Sequence, residues 1–274
     1  MLARQRQERI LEIIRSDGAA RVSELIELLD VSDMTVRRDL EVLASRGLVA
    51  RVHGGATTVA PRSTYEPGFT VKSSLQAEEK AAIARAAAEL VTPGSAVAIS
   101  AGTTTFALAR ELLTVPDLTV VTNSVPVAQL FHESPRKDVT LVLVGGVRTP
   151  SDALVGPVSV TALRTLHTDW LFLGVHGVDG HAGLTTPNLA EAETDRAMIA
   201  CARRLVVLAD ATKWNVVGLS TIADLDEVDV LVTDASLGSD ACASVAEQVG
   251  RLVVAPTAAH TAQDLQTSTA EGMR

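Results

Sequence analysis

The stretch from Val22 to His53, VSELIELLDVSDMTVRRDLEVLASRGLVARVH, constrains this chain most. It sets a short amphipathic helix, a three-residue turn, a second amphipathic helix and an alternating strand segment in immediate succession. In the second helix Val36, Leu40 and Leu43 recur at i, i+4 and i+7 and make one apolar stripe, which leaves Thr35, Arg37 and Arg38 outside it. Ser32 is placed to cap this helix by accepting a free backbone N–H, Asp33 suits the positive end of the helix dipole, and Gly47 supplies the stop. The preceding helix spans residues 23–29 with Val22, Leu25, Ile26 and Leu29 inward, and Asp30-Val31-Ser32 turns the two helices across each other. Upstream, residues 5–16 read as a further helix with Ile10, Ile13 and Ile14 inward. Asp39, repelled by phosphate, is expected to organise the arginines of its own helix.

The stripe and the two arginines, taken alone, favour a helical hairpin with a solvated charged face. The continuation separates the readings: residues 48–53 alternate apolar and polar before the pair Gly54-Gly55, which reads as a small β-hairpin. Three helices and a wing make a winged helix-turn-helix. Its second hairpin helix directs Ser32, Met34, Thr35, Arg37 and Arg38 toward a major groove, while Arg51 and His53 on the wing lie over phosphates or the minor groove.

Charge distribution supports this placement. The formal net charge of −9 argues globally against nucleic acid, yet the first 60 residues hold nine arginines against nine acidic residues, so the whole deficit lies beyond them. The footprint is modest, which implies a homo-oligomer on repeated half-sites of double-stranded operator DNA and a strong salt dependence. Two cysteines, Cys201 and Cys242, define neither a disulfide framework nor a zinc site. No apolar run approaches the ~18 residues of a membrane span, so no membrane partner and a cytoplasmic location are expected.

After residue 58 the sequence is rich in Thr, Ser, Pro and Gly, and residues 59–75 read as a linker. An alanine-rich helix follows at 76–91. Strands are expected at 96–100, 118–122, 139–144, 170–175, 205–209, 228–233 and 252–255, with helices at 104–113, 126–132, 156–165, 189–202 and 239–249. This alternation implies a mainly parallel α/β domain over 76–256, and its continuous Val/Leu/Ile strands imply a sheet covered on both faces. Residues 257–274 are expected to be a disordered tail.

In an open parallel sheet ligands sit beyond the carboxyl ends of the strands, and those junctions are polar here. They place Ser100, Gly102, Thr103, Thr104, Asn123, Ser124, Gly146, Asp179 and Lys213 as candidate effector-binding residues. The Gly102-Thr103-Thr104 turn opens a helix whose N–H groups suit a phosphate, and Lys213 is the lysine at a strand end. The turn and the lysine together suit a small anionic ligand; no cofactor is implied. His176, Asp179 and His181 share a glycine-rich loop, which reads as a solvated turn rather than a metal site.

The segments RQERILEII and VSELIELLDVSDMTVRRDLEVLASRGLVARVHGGA resemble the DNA-binding domain of the DeoR family of bacterial transcriptional regulators, with its V-S-x-x-T-[IV]-R-R-D-L helix at residues 31–40. AGTTT, VVTNS, LVGG, LVGP, FLGVHGVDGHAGLTT, EAETDRAMI and ADATKW resemble that family's sensor domain, which is related in fold to ribose-5-phosphate isomerase. The resemblance implies a repressor with Thr35, Arg37 and Arg38 on DNA and a sensor for a phosphorylated sugar or related small anionic metabolite, with its phosphate near Gly102, Thr103 and Thr104 and Lys213 across the pocket. It also implies a linker docked through Glu66, Phe69 and Lys72. Ser100, Asp195 and Trp214 depart from the family pattern. The other reading is a sugar-phosphate isomerase or deaminase carrying an accessory DNA-binding domain, with Asp179, His176, Glu191 and Glu193 as acid/base candidates.

Overall fold

Three apolar helix stripes and a small sheet close the N-terminal core. In the computed structural model contacts divide the chain into Met1–Arg62 and Ser63–Arg274, and the residues described are 2–17, 19–52, 54–57, 68–73 and 75–257. The first unit contains α1 (Ala3–Asp17), β1 (Ala19–Arg21), α2 (Val22–Leu29), α3 (Asp33–Ser45), β2 (Ala50–Val52) and β3 (Gly55–Thr57). Ile10 and Ile14 of α1, Val22 and Leu25 of α2, and Val36, Leu40 and Leu43 of α3 pack into one cluster. Leu11 rather than Ile13 completes the inner face of α1, and Ile26 is only partly buried. Ser32 caps α3 by accepting the Thr35 N–H, and Gly47 follows the helix at φ +69°.

The wing has three strands rather than two. β3 pairs antiparallel with β2, as expected, and on its other side with β1, setting Ala20 opposite Ala56. Three residues between two helices are too few to show strand alternation in a sequence. His53 of the expected wing set lies outside the described residues, as do 58–67 of the connection and everything after residue 257.

Asp39 corrects a second expectation. Its carboxylate is buried and turned toward α1, where Oδ2 accepts from Arg6 Nε at 2.5 Å and Oδ1 from Gln7 Nε2 at 2.7 Å. The side chains of Arg6 and Asp39 are 13% and 6% exposed. Position 39 follows Leu40's side of the helix more closely than the arginines' side, so its charge ties α3 to α1 instead of ordering Arg37 or Arg38. Arg37 is held by Asp33.

The second unit runs α4 (Phe69–Ser73), α5 (Ala77–Ala88), β4 (Ala96–Ile99), α6 (Thr103–Leu112), β5 (Thr119–Thr122), α7 (Val125–Glu133), β6 (Thr140–Leu143), β7 (Val147–Arg148), β8 (Leu154–Val155), α8 (Pro157–Leu163), β9 (Trp170–Gly174), β10 (Gly177–Asp179), β11 (Gly183–Thr186), α9 (Leu189–Cys201), β12 (Leu205–Leu208), β13 (Ser220–Ala223), β14 (Val230–Asp234), α10 (Ser239–Ala246) and β15 (Leu252–Ala255). All seven expected strands join one parallel sheet in the order β15-β14-β12-β9-β4-β5-β6. Side chains alternate across it. Val97, Ile99, Phe172, Val206 and Leu208 face α5, α6 and α7, through Ile83, Ala87, Leu108, Leu112 and Phe131. Ala98, Leu171, Leu173, Leu205 and Val207 face the other way, onto Leu163 of α8, Met198 of α9 and Val245 of α10. Two-sided burial is why these strands read as unbroken apolar runs.

The sequence did not announce the antiparallel parts. β10, β11 and β13 form a separate three-stranded sheet, and β7 pairs with β8. Strand order reverses between β4 and β9: β5 and β6 extend the sheet in one direction, β12, β14 and β15 in the other. That reversal opens a crevice at the carboxyl ends of β4 and β9. No helix among the described residues is long and apolar enough to cross a membrane.

The ion pair between α1 and α3 gives the first test. Asp39→Ala removes the carboxylate from a nearly water-free site shared with Arg6 and Gln7, a loss worth about 3 kcal/mol. Denaturant unfolding of the full chain is expected to show that loss in the transition of the N-terminal unit, with the sensor transition unmoved.

Candidate functional site

Two places carry unspent polar chemistry: the outer face of α3 and the crevice at the sheet's reversal point. On α3 the first turn is arranged by short-range bonds. The hydroxyls of Ser32 and Thr35 meet at 2.9 Å, and Arg37 Nε donates to Asp33 Oδ1 at 2.5 Å across one helical turn. This bond holds the Asp33 carboxyl below the usual carboxylate range and raises the Arg37 guanidinium further. Met34 and Arg38 stand exposed beside that pair, and Arg51 is exposed on β2. Among the described residues Arg38 and Arg51 make no ion pair. The face therefore offers guanidinium groups and a methionine on a helix of groove width, backed by a buried stripe that fixes its orientation.

At the crevice, β4 is followed by Ser100, whose hydroxyl accepts the Gly174 N–H from the end of β9 at 3.0 Å. The two strands are thus joined just where the order reverses. Asn123 Oδ1 accepts the Ala101 N–H at 2.9 Å, and the Ser124 hydroxyl caps α7 by accepting from Val127. Ser100, Asn123 and Ser124 are buried, so they hold the turn from beneath. Thr104 is buried as well, while Gly102 and Thr103 are half-exposed at the head of α6. That helix has no side-chain cap, which leaves its first-turn N–H groups open for an anion.

Two other candidates are occupied by structural work. At Gly146, φ is +145° and a Cβ would lie 2.6 Å from the Val155 carbonyl oxygen, so the residue is accounted for by the close approach of β8. Asp179 Oδ1 accepts the N–H groups of His181 and Ala182, both at 2.9 Å, and these bonds lower its pKa while closing the β10–β11 turn. Glu191 accepts from Thr149 Oγ1 at 2.6 Å and from Thr186 Oγ1 at 3.4 Å. Glu193 is exposed.

Lys213 ends the 3-10 turn Ala211–Lys213 that follows β12, and its charge acts on Lys80, a residue that sequence reasoning did not place there. Lys80 of α5 is 6% exposed, and its ammonium donates to the carbonyl oxygens of Lys72 at 2.7 Å and Leu75 at 2.6 Å. Lys72, on α4, donates to Ser151 Oγ at 2.8 Å. Burial pushes Lys80 down to about 8; the charges of Lys213 and Lys72 add to that, while Asp210 opposes it. The chain has four lysines against twenty arginines, and two of the others, Lys72 and Lys213, act on Lys80 here. This scarcity was the available signal, obscured because Lys80 sits in an alanine-rich helix that reads as packing. Around this cluster, α4 is fastened to the domain: Phe69 N donates to the Pro150 carbonyl at 3.2 Å, and the Phe69 ring meets Phe106 of α6 edge-on at 5.7 Å. The expected docking of Phe69 and Lys72 is observed; Glu66 lies outside the described residues.

A model of the DeoR-like helix-turn-helix domain matches residues 6–62, and a model of the DeoR C terminal sensor domain matches residues 75–235. The chain is 34% identical over 229 residues to the HTH-type transcriptional repressor CsqR of Escherichia coli strain K12, covering 84% of this chain and 87% of that one. It is 32% identical over 232 residues to the glycerol-3-phosphate regulon repressor of the same strain, covering 84% and 90%. Among solved structures, ribose 5-phosphate isomerase A of Methanocaldococcus jannaschii matches at 19% identity and a TM-score of 0.36, over 49% of this chain and 53% of that one.

The buried lysine sets a pH dependence. Below about pH 8 Lys80 is charged and adds to the attraction of an anion; above it the amine is neutral. Affinity for inorganic phosphate is therefore expected to fall as pH rises from 7 to 9, with proton uptake on binding near pH 8, read by calorimetry in buffers of different ionisation enthalpy. The empty domain responds oppositely. Between about pH 8 and the free-lysine range the unfolded chain holds more protons than the folded one, so thermal stability is expected to rise over that window.

Proposed function

The chain belongs to the DeoR family of helix-turn-helix transcriptional regulators, and we propose that it represses a carbohydrate uptake or catabolism operon and leaves its operator when a phosphorylated sugar binds the C-terminal domain. It is a DNA-binding regulator rather than an enzyme: the relatives it matches over most of their length are transcriptional regulators and repressors. One observation carries the effector reading. The buried Lys80 ammonium donates to the carbonyl oxygens of Lys72 and Leu75 and makes no ion pair among the described residues, and Lys213 follows β12 at the carboxyl edge of the sheet. A small anion there would neutralise that charge. A phosphate lying between the open N-terminus of α6 and Lys213 does so, with Gly102 and Thr103 at its edge. That one relative is named for glycerol-3-phosphate agrees with a small phosphorylated ligand.

The same lysines supply a route for the signal. α4 belongs to the connection that leads from the N-terminal unit, and its carbonyl at Lys72, together with that of Leu75, is what the Lys80 ammonium holds. An anion competes for that ammonium and for Lys72, which loosens the strap formed by residues 68–75. Binding at the pocket and freedom of the connection are then linked, and so is the placement of winged helices within a homo-oligomer. The coupling is reciprocal: operator DNA must weaken effector binding by the factor that effector weakens operator binding.

Lys213 separates sensing from DNA binding, because its ammonium makes no hydrogen bond among the described residues and its loss leaves the strap intact. Lys213→Ala is expected to keep wild-type operator affinity in a gel-shift and to lose release by the phosphorylated sugar that frees the wild type. Normal derepression in the variant overturns the assignment. Arg38→Ala is expected to lose specific operator binding with the melting profile unchanged, and wild-type retardation of the operator contradicts the placement of α3.

A further inference from the structure

The first two turns of α3 do not present four equivalent contacts. Residues one helical turn apart lie on the same ridge, so Asp33 aligns with Arg37 and Met34 with Arg38. The first ridge is closed on itself by the 2.5 Å bond between Asp33 and Arg37. The second is open. Met34 is 81% exposed, the highest value among the large apolar side chains described, and Arg38 makes no ion pair or hydrogen bond among the described residues. A lone exposed methionine is ordinary on a protein surface. This one is flanked on its own ridge by an unspent guanidinium, on a helix whose opposite side is fully committed to the core.

We infer that the Met34–Arg38 ridge reads base edges, with the thioether side chain on the C5-methyl of a thymine and the guanidinium on a guanine one or two base steps away, while the Asp33–Arg37 ridge sits on the sugar–phosphate backbone. The chemistry of the major groove selects these partners. Thymine is the base that offers a methyl group there, and guanine offers the two acceptors, O6 and N7, that a free guanidinium can bridge. An aspartate cannot approach phosphate alone; bonded to Arg37 it presents a neutralised pair with the remaining guanidinium N–H groups facing outward, which suits positioning rather than reading. Spacing follows from the helix. Four residues at 1.5 Å each set Met34 and Arg38 about 6 Å apart along the helix, which spans one to two base steps, so the two contacts fall within two base pairs of each other.

This inference rests on the repressor reading, and the test keeps the two apart. Full-length protein is used to enrich sites from a random duplex pool, and each thymine of the enriched half-site is then replaced by deoxyuridine, which removes only the methyl group. At one thymine within two base steps of a guanine, the wild type is expected to bind about fourfold more weakly after replacement, the value of one buried methyl. Met34→Ala is expected to bind the thymine and deoxyuridine sites alike. Arg38→Ala is expected to lose its preference for that guanine by about fivefold or more, whereas Arg37→Ala weakens every sequence alike and shallows the salt dependence. Because Met34, Arg37 and Arg38 are exposed, unchanged melting curves are expected for all three variants. If no site is enriched, the repressor reading falls and this inference with it. Should sites be enriched whose affinity ignores every thymine methyl, or Met34→Ala keep the methyl sensitivity, the repressor stands and this assignment is overturned.

Discussion

A lysine ammonium withdrawn from water without a carboxylate bonded to it is the constraint on which the sensor domain turns. Lys80 is satisfied by two carbonyl oxygens, those of Lys72 and Leu75, so its charge is hydrogen-bonded but not neutralised. Burial alone disfavours the charged form, and two neighbouring lysines disfavour it further. Asp210 relieves part of this, while its own carboxylate is occupied with the Thr212 N–H and hydroxyl. On the proposed reading a bound anion supplies the charge that balances this ammonium. Residues 72 and 75, whose carbonyls hold it, then respond to the ligand as well.

Where this demand is located is a property of the sheet. The reversal between β4 and β9 lets Ser100 and Gly174 meet and leaves α6 starting uncapped beside them. Helices on both faces supply the burial, and α5, which lies across one face, delivers Lys80 through a residue whose neighbours Ala82, Ile83 and Ala84 are core. The same helix therefore serves packing and charge placement. A change in its apolar face shifts the ammonium as well as the core.

Much of this was legible in the sequence. The stripe Val36, Leu40, Leu43 and the cap at Ser32 located α3 without ambiguity, and all seven long strands were visible because continuous apolar runs survive any choice of neighbours. The short antiparallel pieces were not. β1 has three residues and β7 two, too few for a period, and GVDGHAGLTT reads as a polar loop because its glycines answer close backbone approaches. A Cβ at Gly177 would lie 1.9 Å from the Val216 carbonyl oxygen, a contact made by a residue 39 positions away. Asp179 was attractive as a ligand contact for the same reason, being a carboxylate in a glycine-rich loop, whereas its bonds close the turn. Asp39 misled in another way: charge complementarity with Arg37 and Arg38 was plain along the chain, but its partner Arg6 is 33 residues away. The lysine cluster required the fold, since residues 72, 80 and 213 converge only when α5 crosses the sheet.

In α3 the residues that fix the fold and those that face outward share no member. Val36, Leu40, Leu43 and Asp39 belong to the core and to α1; Met34, Arg37 and Arg38 touch neither. Genetic drift on the outer set is thus nearly neutral for folding. On the proposed reading of α3, duplicated copies of such a gene would change target promoters by codon changes in the outer set alone while inheriting an intact scaffold.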